Sequence, residues 1–161
     1  MSPAAAAGAG LYLHIPFCSA VCPYCDFAVL PTSAASSRRY VRALIGELAM
    51  FAEEGLAFDT VYFGGGTPSA LAVADLEAVL EAARGRLAIE EDAWLAMEVN
   101  PEDVSPAALD GWRELGISML SLGVQSFQEE ELRFLGRRHS PAEGERAVRE
   151  ALKAGFDVVS A

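Results

Sequence analysis

The residues that could do chemistry begin with three cysteines, Cys18, Cys22 and Cys25, which share one short stretch, LYLHIPFCSAVCPYCDF (11–27). The chain of 161 residues has no other cysteine. Their spacing, C-x3-C-x2-C, puts three soft thiolate ligands on a single loop. Three thiolates do not close a tetrahedral zinc site, although an Asp or His could complete one. Iron–sulfur clusters are normally held by four cysteines. A set of three therefore suits a [4Fe-4S] cube in which one iron stays open to a small molecule. Three free thiols in a buried loop are the remaining reading, because Cys is often buried. Core cysteines, however, are usually scattered and do not crowd into one turn.

Other distinctive residues follow further along. Gly64, Gly65 and Gly66 precede Thr67-Pro68. Such a run allows backbone geometries closed to other residues and lets a ligand approach the main chain. No Gly-Lys-Ser/Thr follows, so it is not a phosphate-binding P-loop. Glu98 stands in the apolar run WLAMEV, where a carboxylate needs a partner or a ligand. Gln125 and Arg137 come later, and Arg133, Arg137, Arg138 and His139 form a basic cluster. The forked donors of Arg137 suit a carboxylate. A solvated helix end accounts for Arg133 and Arg138, and a nearby propionate-bearing ligand is the other reading. His14 lies mid-strand and reads first as a satisfied core histidine.

The elements that must position these residues alternate between strand and helix. LYLHIPF reads as a strand over Tyr12 to Phe17, followed by the cysteine loop and a turn-rich connector at 31–37. Val41, Leu44, Ile45, Leu48 and Phe51 make one apolar helical stripe, which Gly55 can end. Strands are expected over Phe58 to Phe63, Trp94 to Val99, Ile117 to Leu122 and Phe156 to Ser160. Helices are expected around Leu76–Ala83, from the Ser105 cap to Leu115, over Gln128–Leu135, and from Ser140-Pro141 to Gly155, with Ala147, Val148, Ala151 and Leu152 inward. Repeated strand–helix units predict a parallel sheet covered by helices, with right-handed crossovers. The cysteines, GGGTP, ENP and GVQSF each follow a strand, and parallel α/β folds build their sites at the carboxyl ends of strands.

Composition narrows the class. Half the chain is hydrophobic (52%) with a mean hydropathy of +0.24, enough for a sizeable core. A formal net charge of -11 argues against non-specific nucleic-acid binding, which needs clustered Lys and Arg. An odd number of clustered cysteines argues for a reducing compartment. MSPAAAAGAG (1–10) has no basic region and reads as a flexible tail, not a signal peptide. No apolar run approaches the roughly 20 residues of a membrane span. A cytoplasmic protein is expected.

With these residues in place, the cysteine stretch resembles the signature of the radical SAM enzymes, in which S-adenosylmethionine chelates the fourth iron. HIPFC before it and DF after it resemble the branch that contains oxygen-independent coproporphyrinogen III dehydrogenases (oxidases) and radical SAM heme chaperones. The resemblance covers residues 11 to about 160. It implies a partial (β/α)6 radical SAM barrel, here truncated to about the first five strands, with the sixth strand and a C-terminal domain absent. It also implies a cluster on Cys18, Cys22 and Cys25 and reductive cleavage of S-adenosylmethionine to methionine and a 5′-deoxyadenosyl radical. Its cofactor contacts would fall on Tyr12, Tyr24 against the adenine, Gly65, Gly66 and Thr67 at the methionine ammonium, and Glu98, Gln125 and Arg137. The dehydrogenase branch carries another cysteine two residues after the third cluster cysteine, where this chain has Phe27. That departure favours a heme chaperone, which binds heme or a related tetrapyrrole and delivers it to a recipient protein. The coproporphyrinogen III oxidase is the alternative. An electron donor to the cluster is the further implied partner.

Overall fold

The computed structural model of the protein describes residues 8–52 and 55–161. Strands β1 (Ala9–Ile15), β4 (Ala57–Gly65), β5 (Ala88–Val99), β6 (Met119–Leu122) and β7 (Val158–Ser160) form one parallel sheet in the order β1-β4-β5-β6-β7. Two further short strands, β2 (Phe17–Cys18) and β3 (Leu30–Pro31), pair with each other in parallel and pinch the two ends of the cysteine loop together. The order within the main sheet never reverses. Right-handed crossovers then carry every helix to the same face. This is the winding of a partial (β/α) barrel, as expected.

The helices are α1 (Ala34–Leu48), α2 (Val73–Arg84), α3 (Pro106–Glu114), α4 (Glu129–Phe134) and α5 (Pro141–Ala154). Their starts follow local chemistry. Ser33 and Ser36 form a reciprocal capping box on α1, as Ser140 and Glu143 do on α5, and Pro106 and Pro141 occupy first-turn positions. α5 stops at Gly155, whose φ of 80° is left-handed and free of cost only for glycine.

Successive strand residues point to opposite faces. Leu13 and Ile15 of β1, Val61 and Phe63 of β4, Leu95, Met97 and Val99 of β5 and Leu120 and Leu122 of β6 face the helices and are buried with Leu76, Val79, Leu109 and Trp112. The alternate residues, Tyr12, His14, Tyr62, Trp94, Glu98 and Ser121, look the other way, into the concave side of the sheet; Tyr12 and Trp94 are half exposed there. A buried Leu, Ile, Val or Phe contributes roughly 1.5–3 kcal/mol, so the convex layer holds the sheet and frees the concave face for polar residues.

Several boundaries differ from expectation. β1 takes in Ala9 and Gly10, placed in the tail by composition; residues 1–7 of that tail lie outside the described residues. β5 begins at Ala88, before Trp94, because pairing of Ala88 and Ile89 with Ala57 and Phe58 carries the acidic run Glu90–Asp92 into a strand that its composition disfavours. β6 and β7 start later than expected, at Met119 and Val158. α1 ends at Leu48 and continues only as a 3-10 turn to Phe51, which is exposed rather than in the apolar stripe. On α5 the buried face is Gly144, Ala147 and Ala151, and Leu152 is turned outward, about 100° further round the helix.

Trp112 is the largest side chain in the convex core and is 1% exposed. Trp112→Ala is expected to lower unfolding stability by about 3–5 kcal/mol, read from a denaturant melt, while leaving the cysteine loop on the far side of the sheet intact.

Candidate functional site

The carboxyl ends of β4, β5 and β6, with Ala161 after β7, meet at a cavity of about 370 Å3, within the ordinary range of small-molecule pockets. The cysteine loop covers it. Cys18, Cys22 and Cys25 all line it, together with Tyr24, Gly65, Gly66, Thr67, Glu98, Gln125 and Arg137. Ten of the eleven expected site residues thus line this cavity. Tyr12 does not line the cavity. Its ring stacks on Tyr62, with centroids 6.0 Å apart and planes 16° from parallel, and Tyr62 in turn holds Glu98. Tyr12 shares the concave face with Glu98 but sits three residues below the end of β1, level with Tyr62.

A line of hydrogen bonds along the cavity lining joins two of the thiols. Cys18 Sγ lies 3.4 Å from Thr67 Oγ1, which accepts from Asn100 Nδ2 at 3.2 Å. Asn100 Oδ1 accepts from Arg137 Nη2 at 3.0 Å, and Arg137 Nη1 reaches Cys22 Sγ at 3.5 Å. Arg137 Nη2 also donates to the Gly123 carbonyl at 2.5 Å. Asn100 is fixed from behind: its backbone N–H donates to Ser69 Oγ at 3.1 Å, and Ser69 donates to Asp103 at 2.6 Å. Burial raises the Asp103 carboxyl, against the opposing bond from Ser69. The sequence marks Asn100 only as part of the ENP motif after a strand, without a role, and does not single out Ser69 or Asp103.

Glu98 is bonded at both oxygens. Tyr62 donates to Oε1 at 3.0 Å and the Gly65 backbone N–H donates to Oε2 at 3.0 Å. Burial, then the charge of Glu98, pushes the Tyr62 hydroxyl up to about 12, so Tyr62 remains a donor at neutral pH. The glycines are needed for close approach. Gly65 has φ +118°, and a Cβ on Gly66 would lie 2.8 Å from the Phe17 carbonyl oxygen and 3.0 Å from Cys18 Sγ. Gln125 is the non-glycine residue with positive φ, 70°, in the turn after β6.

Burial pushes the Cys18 thiol up; Thr67 works against this, the neighbouring Cys25 and Cys22 add to it, and Arg137 lowers it. All three cysteines are free. Among the described residues, no three His, Cys, Asp or Glu side chains converge as they would on one metal ion.

His14 is satisfied as a structural histidine: Nε2 is 3.3 Å from the Ala28 carbonyl and Nδ1 is 3.3 Å from Tyr12 Oη. The basic cluster separates into different roles. Arg133 is exposed and 3.7 Å from Glu129 on its own helix. Arg138 donates to Ser19 Oγ at 2.8 Å and so is more than a solvated helix end. His139 is buried, 3% exposed, with neither ring nitrogen hydrogen-bonded. Glu102 Oε2 lies 3.9 Å from its Nδ1, but burial and the charge of Arg137 outweigh that attraction and lower the His139 pKa.

Comparison with known proteins agrees with this geometry. The family model described as the Radical SAM superfamily matches residues 12–161. The chain is 38% identical over 152 residues to the heme chaperone HemW of Synechocystis, covering 91% of this chain and 37% of that protein. It is 38% identical over 149 residues to HemW of Escherichia coli, covering 91% of this chain and 39% of that protein. The chain therefore spans less than two-fifths of the length of these relatives. Among solved structures, the coproporphyrinogen III oxidase HemN of Escherichia coli, described as a radical SAM enzyme, superimposes with a TM-score of 0.85 at 29% identity, over 93% of this chain and 35% of that one.

The buried His139 makes stability depend on pH. Its folded pKa lies below the unfolded value of about 6.5. As pH falls through that value the unfolded chain takes up a proton that the folded chain resists, so stability falls. Between pH 7.5 and 5.5 the melting temperature should drop, and His139→Gln should flatten that slope. An unchanged slope would mean that His139 protonates freely in the fold.

Proposed function

The chain belongs to the radical SAM superfamily, and we propose on that premise that Cys18, Cys22 and Cys25 hold a [4Fe-4S] cluster beside an S-adenosylmethionine site, in a protein that binds heme and delivers it to a recipient protein. The observation that carries the cofactor reading is the bonded line Cys18–Thr67–Asn100–Arg137–Cys22 along one cavity wall. It ties two thiols to Thr67 and Asn100 at two strand ends and to Arg137 after α4, and the third thiol, Cys25, lines the same cavity. When bound, such a cluster with S-adenosylmethionine supplies one-electron reductive chemistry; the protein supplies position and a site shielded from water.

The chain's own residues divide that work. Glu98 and Arg137 bring one negative and one positive charge to the cavity. That pair complements the ammonium and carboxylate of an amino-acid moiety such as the methionine end of S-adenosylmethionine. Tyr62 and the Gly65 N–H hold the Glu98 carboxylate in one orientation. Gly66, without a Cβ, lets the backbone lie against Cys18. Tyr24 lines the cavity with an aromatic face available to the adenine, and Gln125 lines it as well.

Phe27 supports the heme chaperone over the oxidase. It lines the cavity two residues after Cys25 and is 61% exposed. With Val21 and Tyr24, also exposed, it makes the mouth apolar where the oxidase branch carries a thiol. An apolar mouth suits a flat macrocycle. The relatives named as heme chaperones also support this reading, whereas the oxidase HemN is similar in backbone. No helix among the described residues is long and apolar enough to cross a membrane.

Anaerobic reconstitution should load about four irons per chain, as one [4Fe-4S] cube requires, with an S-adenosylmethionine-dependent change in the reduced EPR spectrum. Cys22→Ala should abolish the signal. Glu98→Ala should retain iron and weaken S-adenosylmethionine binding roughly ten- to hundred-fold, the cost of about 1.5–3 kcal/mol for a lost charge-assisted hydrogen bond. Zinc uptake at equal stoichiometry without iron would overturn the cluster reading. Heme should bind, and coproporphyrinogen III incubated with the protein, reductant and S-adenosylmethionine should give no protoporphyrinogen IX. Multiple-turnover formation of that product would instead establish the oxidase.

A further inference from the structure

We infer that Gly136, Arg137 and Arg138 act together as a strap that positions the cysteine loop for metal loading, with Gly136 and Arg138 as positioning residues; the inference rests on the cluster reading above. Three consecutive residues each meet a different point of that loop. Gly136 packs against Pro23, Arg137 Nη1 reaches Cys22 Sγ at 3.5 Å, and Arg138 Nη1 donates to Ser19 Oγ at 2.8 Å. Among the described residues, the hydrogen bonds that tie residues 19–27 to the rest of the fold are those from Arg137 and Arg138. The internal bond from the Cys25 N–H to the Cys22 carbonyl, 3.0 Å, shapes the loop but does not anchor it.

The strap is itself fixed. At one end the Arg137 N–H donates to the Leu132 carbonyl at 2.8 Å, closing α4 over the buried Leu132. At the other end His139 is buried and Ser140 caps α5. Gly136 must be glycine for two reasons. Its φ is +66°, and a Cβ there would stand 2.6 Å from Pro23 Cδ. Proline has no rotamer by which to withdraw. The strap therefore holds the loop by shape at Pro23 and by donors at Ser19 and Cys22. A loop held at these points presents its thiols in one arrangement instead of sampling many.

The test uses Arg138→Ala, Arg138→Lys, Gly136→Ala and, as a control on the exposed end of α4, Arg133→Ala. Two rates are measured: iodoacetamide alkylation of Cys22 in the metal-free protein, located by mass spectrometry, and loss of iron from the reconstituted protein to a chelator. Arg138→Ala and Gly136→Ala should raise both rates about three- to ten-fold, the effect of losing one anchoring contact. Arg138→Lys, which can still donate to Ser19, should restore both rates, and Arg133→Ala should leave them unchanged. The strap is refuted if Arg138→Ala and Gly136→Ala each change both rates by less than about two-fold, below what one lost anchor predicts, or if Arg138→Lys behaves as Arg138→Ala. Failure of the unaltered protein to take up iron would sink the cluster reading instead, while the alkylation rates would still decide whether the strap holds the loop.

Discussion

One guanidinium joins the parts of this site. Arg137 contacts Cys22 on the loop after β1, Asn100 after β5 and the Gly123 carbonyl after β6. Each belongs to a different strand–helix unit, and no local interaction would bring them together. The planar fork of arginine can serve all three at once, which an ammonium on a flexible stem cannot do with the same geometry. Its Nε is buried without a protein partner. An unmet buried donor costs about 1–3 kcal/mol, so the site keeps arginine at some expense to stability, as binding sites commonly do.

The second constraint is closeness of backbone to sulfur. The sheet brings β1 and β4 into register with Ile15 opposite Gly65, and the Gly66 N–H donates to the Ile15 carbonyl at 2.8 Å. The glycine segment is therefore an extension of strand pairing, bent against the cysteine loop where a Cβ would collide with backbone. Glu98 completes the corner by accepting from Gly65, so one carboxylate both fixes the glycine turn and gives the cavity its negative charge. Stability and binding capacity are served by the same bonds.

On the concave side the sheet is divided by height. Glu98 and Ser121 pair at the carboxyl end, Tyr62 and Ala96 are level with each other below them, and Trp94 lies lower still. The mouth is apolar, with Val21, Tyr24 and Phe27 exposed on the loop. The cavity thus has a charged interior under an apolar rim.

The sequence by itself determined the strand–helix order, the helix caps at Ser105 and Ser140, the three thiols and the rule that each motif follows a strand. All of these are local: periodicity, capping and spacing are written within a few residues. It also pointed to Glu98, because a carboxylate in an apolar strand is anomalous without any knowledge of its neighbours. It missed the early start of β5, which exists only because β4 is there to pair with it, and it turned Leu152 inward because periodicity marks a face but not its exact width. Only the tertiary structure decided that Asn100 bridges Thr67 and Arg137, that Tyr12 serves Glu98 through Tyr62 and not the cavity directly, and that Arg138 grips Ser19. Those contacts join residues far apart in the chain. Their geometry is set by sheet register and helix packing, which summed local preference does not specify.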